Sequence, residues 1–105
     1  MSANWHRVAC IDEIEEDEPL SVKVGDHTIG VFNLDGKFYA IEDICPHAFA
    51  LLSQGFVEGD EVECPLHEAV FHIPTGRCLK APADRDLNTY QVRVEGDDVM
   101  IGLPA

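Results

Sequence analysis

A chain of 105 residues holds one domain with its own core, so it has no room for a second, catalytic domain. Twenty acidic residues against seven basic ones give a formal charge of −13, which argues against nucleic acid and anionic membrane surfaces as partners and suits basic docking patches. With 46% apolar residues, six prolines and eight glycines in no low-complexity block, the composition is that of an ordinary globular protein.

In chain order, Met1–Arg7 lacks a basic start followed by an apolar stretch, and no run of about 18 apolar residues occurs, so a soluble cytoplasmic protein is expected. Asp12, Glu13, Glu15, Glu16, Asp17 and Glu18 read as a solvated acidic face. Alternating and β-branched stretches then predict strands at Leu20–Val24, Thr28–Leu34, Lys37–Ile44, Val62–Glu63, Val70–Ile73, Tyr90–Val94 and Val99–Leu103. Gly25-Asp26, Asp35-Gly36, Glu58-Gly59-Asp60, Thr75-Gly76 and Gly96-Asp97-Asp98 supply the turns between them, Asp35-Gly36 being the clearest hairpin. Ala48–Ser53 is read as a short helical turn, and Lys80–Asp84 as a loop able to shield a site formed by its neighbours. The fold class is all-β: a single domain, residues 1–105, forming a small antiparallel β-sandwich with an inserted subdomain of two ligand loops, about 45–53 and 64–76.

Those loops carry the chemistry. Cys45-Pro46-His47 and Cys64-Pro65-Leu66-His67 each offer one thiolate and one imidazole, with sixteen residues between His47 and Cys64. Proline fixes its own φ and restricts the residue before it, which is a cysteine in both loops, so both are stiffened. Cys45, His47, Cys64 and His67 read as the ligands of one Rieske-type [2Fe–2S] cluster, in which two histidines replace two cysteines on one iron. The cysteines would hold the inner iron and the histidines the outer one. Neutral imidazole in place of thiolate raises the reduction potential above that of an all-cysteine cluster. A tetrahedral zinc site also uses two cysteines and two histidines. It usually pairs Cys-x-x-Cys with a separate histidine pair, and it staples folds too small for a core.

The remaining candidates are weaker. Cys10 and Cys78 read as semi-buried thiols, and their spacing alone does not exclude a disulfide. His67 and His72 have a spacing found in mononuclear iron sites, but His67 is already assigned. His6 and His27 read as surface residues, and no nucleophile arrangement has an independent case.

From Cys45 to Gly76 the chain resembles the Rieske ferredoxins of bacterial aromatic-ring-hydroxylating dioxygenase systems, especially those of the naphthalene type. The resemblance is carried by Gly55 to His67, by Phe38-Tyr39-Ala40, by Thr75-Gly76, and more weakly by Thr89 to Val94 and Val99-Met100-Ile101. It implies a one-electron carrier of aromatic hydrocarbon catabolism, not itself an enzyme. Such a carrier passes electrons from an NAD(P)H-dependent flavin reductase to a terminal Rieske oxygenase, and it is expected to be a monomer. The alternative is the small Rieske-type subunit of an assimilatory nitrite reductase. Respiratory Rieske proteins carry an extra cysteine in each loop, at positions that correspond to Ala50 and Leu66, and donate hydroxyl hydrogen bonds from positions that correspond to Ala69 and Phe71. Their absence implies a low potential. Glu68, Ala48-Phe49-Ala50 and His72 depart from the residues usual in the family. Phe49, Leu51, Leu52, Leu66 and Pro82 are candidates for an apolar shell around the cluster.

Overall fold

Residues 4–16, 18–45, 50–66, 69–80 and 85–103 are described in the computed structural model. Among them the strands are β1 (Asn4–Cys10), β2 (Leu20–Val24), β3 (His27–Leu34), β4 (Lys37–Glu42), β5 (Phe56–Glu58), β6 (Glu61–Glu63), β7 (Val70–His72), β8 (Cys78–Lys80), β9 (Thr89–Glu95) and β10 (Asp98–Leu103). Single 3₁₀ turns occupy Ile11–Glu13 and Leu52–Gln54. Every strand pairing is antiparallel, giving a six-stranded layer in the order β1-β10-β9-β4-β3-β2 and a four-stranded sheet in the order β5-β6-β7-β8.

The six-stranded layer is joined in its middle by only two residue pairs, Ala40 with Tyr90 and Ile41 with Thr89. Its two halves, β1-β10-β9 and β2-β3-β4, therefore close on a shared core of Ala9, Ile29, Val31, Ala40, Val99 and Ile101. Side chains alternate across a strand, so the opposite face of β3 and β4 must bury a different set. That set is Phe32 and Ile41, which pack with residues of the four-stranded sheet and with both motif cysteines. The β3–β4 hairpin thus has two buried faces, which is why Ile29, Gly30, Val31 and Phe32 are buried in succession. Its turn is set by Asp35 at φ 55° and Gly36 at φ 88°, the pair of positive dihedrals that matches strand twist in a two-residue hairpin.

The sandwich expected from the sequence is present, and β2 has the predicted bounds. The strand expected over Lys37–Ile44 ends at Glu42. Three strands were not anticipated. β1 lacks clean alternation and is held by β10, with a bulge between Arg7 and Ala9. β5 and β8 have three residues each, too few to show a period. Part of the expected helical turn is real, displaced to Leu52–Gln54, whereas 48–49 lie outside the described residues. Asp12, Glu13, Glu15, Glu16 and Glu18 are exposed, as a solvated face requires, and Asp17 lies outside the described residues.

Candidate metal centre

β6 and β7 pair Glu61 with His72, Val62 with Phe71 and Glu63 with Val70, and the chain between them forms the second motif loop. At its neck the Cys64 N–H donates to the Ala69 carbonyl oxygen at 2.7 Å. The first motif loop is built to the same plan. Ile44 bridges Leu51, and the Cys45 N–H donates to the Ala50 carbonyl oxygen at 3.0 Å. Each loop is closed at its neck by a bond from its cysteine to the alanine five residues on. Cys45 and Cys64 are 2% and 1% exposed and belong to one packed cluster with Ala50, Ala69, Leu52, Val62 and Phe71. Pro46, His47, Ala48, Phe49, His67 and Glu68 lie outside the described residues.

The segment 85–88 is tied to the end of the second loop and to the strand that leads into the first. Gly76, at φ 71°, donates to the His72 carbonyl and accepts from the Leu87 N–H, each at 2.7 Å. A Cβ at that position would collide with the Leu87 carbonyl oxygen, so only glycine allows this approach. Cys78 N–H donates to Asp86 Oδ1 at 2.8 Å. On the other side Arg85 grips Glu42 with both terminal nitrogens, at 3.0 and 2.6 Å, and the Asn88 N–H donates to Glu42 Oε1 at 3.1 Å. The hydrogen bonds from Arg85, helped by the one from Asn88 and opposed by partial burial, hold the Glu42 carboxyl below the usual carboxylate range. Partial burial raises the Tyr90 phenol, and the negative charge of Glu42 adds to that.

The other candidates separate from the centre. Both ring nitrogens of His72 are engaged, Nε2 with Asp60 Oδ2 at 2.9 Å and Nδ1 with Thr75 Oγ1 at 2.7 Å, so this side chain braces the β5–β6 turn against the turn after β7. Cys10 and Cys78 are in no disulfide. His6 and His27 are exposed, as expected. Of the proposed apolar shell, Leu52 is fully buried in the cysteine cluster and Leu51 is half-buried, but Leu66 is 62% exposed. Leu66, within the second loop, therefore faces solvent instead of joining the packed wall around the cysteines. Phe49 and Pro82 lie outside the described residues, as does 81–84 of the expected shielding loop.

Sequence reasoning passed over Glu42, Asp43 and Arg85. Asp43 is 0% exposed and accepts two bonds from Ser53, from its N–H on Oδ1 and from its hydroxyl on Oδ2, both at 2.7 Å. An acidic pair between Ile41 and Ile44, with Asp43 two residues before a motif cysteine, was the available signal.

A thiolate buried in an apolar wall is costly unless a metal takes up its charge, so the two cysteines suit an iron–sulfur group. They are in no disulfide, sit in one wall, and open two like loops whose sequences each add a histidine. Among the described residues no helix is long and apolar enough to cross a membrane.

Comparison with known proteins agrees with this geometry. The family model described as "Rieske [2Fe-2S] domain" matches residues 4–91. The ferredoxin component of the naphthalene 1,2-dioxygenase/salicylate 5-hydroxylase systems of a Ralstonia species is 41% identical over 101 residues, covering 96% of this chain and 97% of the relative. The solved Sphingomonas yanoikuyae B1 ferredoxin superposes with a TM-score of 0.90 at 30% identity, covering 96% of this chain and all of that one. A ferredoxin-like match comes from a structure described as a complex of reduced oxygenase and oxidized ferredoxin in carbazole 1,9a-dioxygenase. There the TM-score is 0.87 at 31% identity, covering 93% of this chain and 92% of that chain.

Proposed function

Because the chain belongs to the Rieske [2Fe-2S] domain family, we propose that it is the electron-carrying ferredoxin of an aromatic-ring-hydroxylating dioxygenase system. It takes single electrons from an NAD(P)H-dependent flavin reductase and delivers them to the terminal oxygenase. It is an electron-transfer component and not the catalyst of the ring hydroxylation. The observation that carries this reading is the pair of like loops opening on buried Cys45 and Cys64, in a chain that matches a dioxygenase ferredoxin component over nearly its whole length.

Cys45, His47, Cys64 and His67 hold one [2Fe–2S] cluster, which when bound supplies a reversible one-electron couple. The protein's own part is to keep that couple close to a partner and to limit its rearrangement. Backbone bonds at the necks of both loops and the packed alanines, leucine and phenylalanine around the thiols restrict movement on the inner side. Exposed Leu66, and Ile44 at 41% exposure, give the loop region an apolar margin for transient contact. The net charge of −13 steers the carrier to basic docking sites, so it works as a monomer in the cytoplasm that meets its two partners in turn.

Reconstitution tests the reading. The purified holoprotein is mixed with a dioxygenase flavin reductase, its nicotinamide cofactor and the cognate terminal oxygenase with an aromatic substrate. Product formation that depends on this chain supports it. Stable copurification with a large sirohaem subunit, with no transfer to the oxygenase, would instead identify a nitrite reductase subunit.

A further inference from the structure

The two motif loops share a neck but not a base. In the second loop the ladder continues below Cys64 through Glu63–Val70, Val62–Phe71 and Glu61–His72, so backbone pairing carries the load. Below Cys45 the ladder has one bridge, Ile44 with Leu51, and one bond from the Leu52 N–H to the Asp43 carbonyl oxygen at 2.7 Å. There the chain turns into the 3₁₀ segment Leu52–Gln54, and the ladder goes no further. The rung that a strand would have supplied is replaced by a side chain. Asp43 Oδ1 accepts the Ser53 N–H and Oδ2 accepts the Ser53 hydroxyl, and the carboxylate is fully buried.

The rest of the fold makes room for this group. Counted back from each cysteine, Asp43 occupies the place that Val62 holds in the second loop, and both are 0% exposed. On β3, a Cβ at Gly30 would come within 2.7 Å of Asp43 Oδ1 and 2.9 Å of Phe32 Cε1, so glycine is required where the carboxylate lies. The Asp43 N–H donates to the Thr28 carbonyl at 3.0 Å, anchoring the same residue to the sandwich. A buried carboxylate is expensive to desolvate, and its two bonds are charge-assisted and directional. They fix both ends of the first loop relative to each other and to β3.

We propose that Asp43, latched to Ser53, is a positioning residue that sets how the first loop presents its ligands to the cluster. The second loop achieves the same with backbone pairing and an apolar valine. This rests on the reading of Cys45 as a ligand. Outer residues that orient metal ligands typically change metal affinity by about 10–100-fold when removed.

The test compares wild-type holoprotein with Asp43→Ala, Asp43→Asn and Ser53→Ala. It measures the rate of iron loss to a chelator, the electron paramagnetic resonance g values of the reduced protein and the reduction potential. Asp43→Ala is expected to lose iron about tenfold faster and to shift and broaden the g values. Asp43→Asn keeps an oxygen for the Ser53 N–H and an amide donor for its hydroxyl oxygen, so it should restore wild-type g values. Ser53→Ala removes one bond and should fall between them, which keeps the test open if Asp43→Ala does not fold. Wild-type g values, potential and iron loss in Ser53→Ala, or an Asp43→Asn protein as impaired as Asp43→Ala, would overturn the latch. If wild type itself gives no Rieske signal, the carrier reading fails instead.

Discussion

Arg85 and Glu42 form a two-pronged ion pair, with Arg85 nitrogens 3.0 and 2.6 Å from the two carboxylate oxygens, between the end of the strand leading to Cys45 and the segment bonded to Gly76 at the end of the second loop. The pair ties two parts of the candidate centre that are 43 residues apart in sequence. Arg85 is half exposed, so solvent limits its worth to about 0.5–1 kcal/mol.

Acid should remove that contribution. The Glu42 carboxyl is held below its ordinary value of 4.5, first by the hydrogen bonds from Arg85, so its contribution is complete above that pH. It is lost as pH falls through the lower, folded-state value. Glu42→Gln should therefore melt below wild type at pH 7, and the gap should narrow as pH falls below 4.5 towards the lower, folded-state value. A gap that stays constant on acidification would show that the charge is not what holds the pair.

Gly76→Ala should destabilise the domain by about 1–3 kcal/mol, measured by denaturant unfolding. The position has φ 71°, and an added Cβ would meet the Leu87 carbonyl oxygen and lie 3.0 Å from Thr89 Cγ2. Unchanged stability would mean that segment 85–88 does not pack on the loops as described.

His72 and His67 should behave oppositely. His72→Ala loses the links to Asp60 and Thr75 and should cost about 1–2 kcal/mol, while iron content and spectrum stay those of wild type. His67→Ala should fail to retain the cluster. Loss of iron in the His72 variant would redraw the ligand set.

Leu66→Ser should leave melting within about 0.5 kcal/mol of wild type, because the side chain is 62% exposed. It should nevertheless slow electron delivery to the oxygenase, and delivery by either protein should weaken from low to about 0.5 M salt. Stopped-flow reoxidation of the reduced carrier checks both effects, and equal rates for the variant and wild type would exclude Leu66 from the contact.

Period and turn chemistry made much of the fold legible. Leu20–Val24 alternates and pairs with β3, and Asp35-Gly36 marks a hairpin turn with two positive dihedrals. β1 was hidden because its place is fixed by pairing with β10, from Cys10 with Asp98 to Asn4 with Leu103 at the far end of the sequence, and not by its own pattern. At the centre, the cysteines were visible from residue type and spacing. Asp43 was not, because its meaning comes from Ser53 across the loop and from the space left by Gly30, neither of which a local pattern reveals.

The central claim is that Cys45, His47, Cys64 and His67 hold one Rieske cluster. The most direct measurement is the electron paramagnetic resonance spectrum of the dithionite-reduced protein, purified without air, alongside its iron and acid-labile sulfide. A rhombic signal with average g below that of all-cysteine clusters, with two irons and two sulfides per chain, is predicted for this mixed ligand set. A silent spectrum with stoichiometric zinc, or an all-cysteine type of signal, would contradict it.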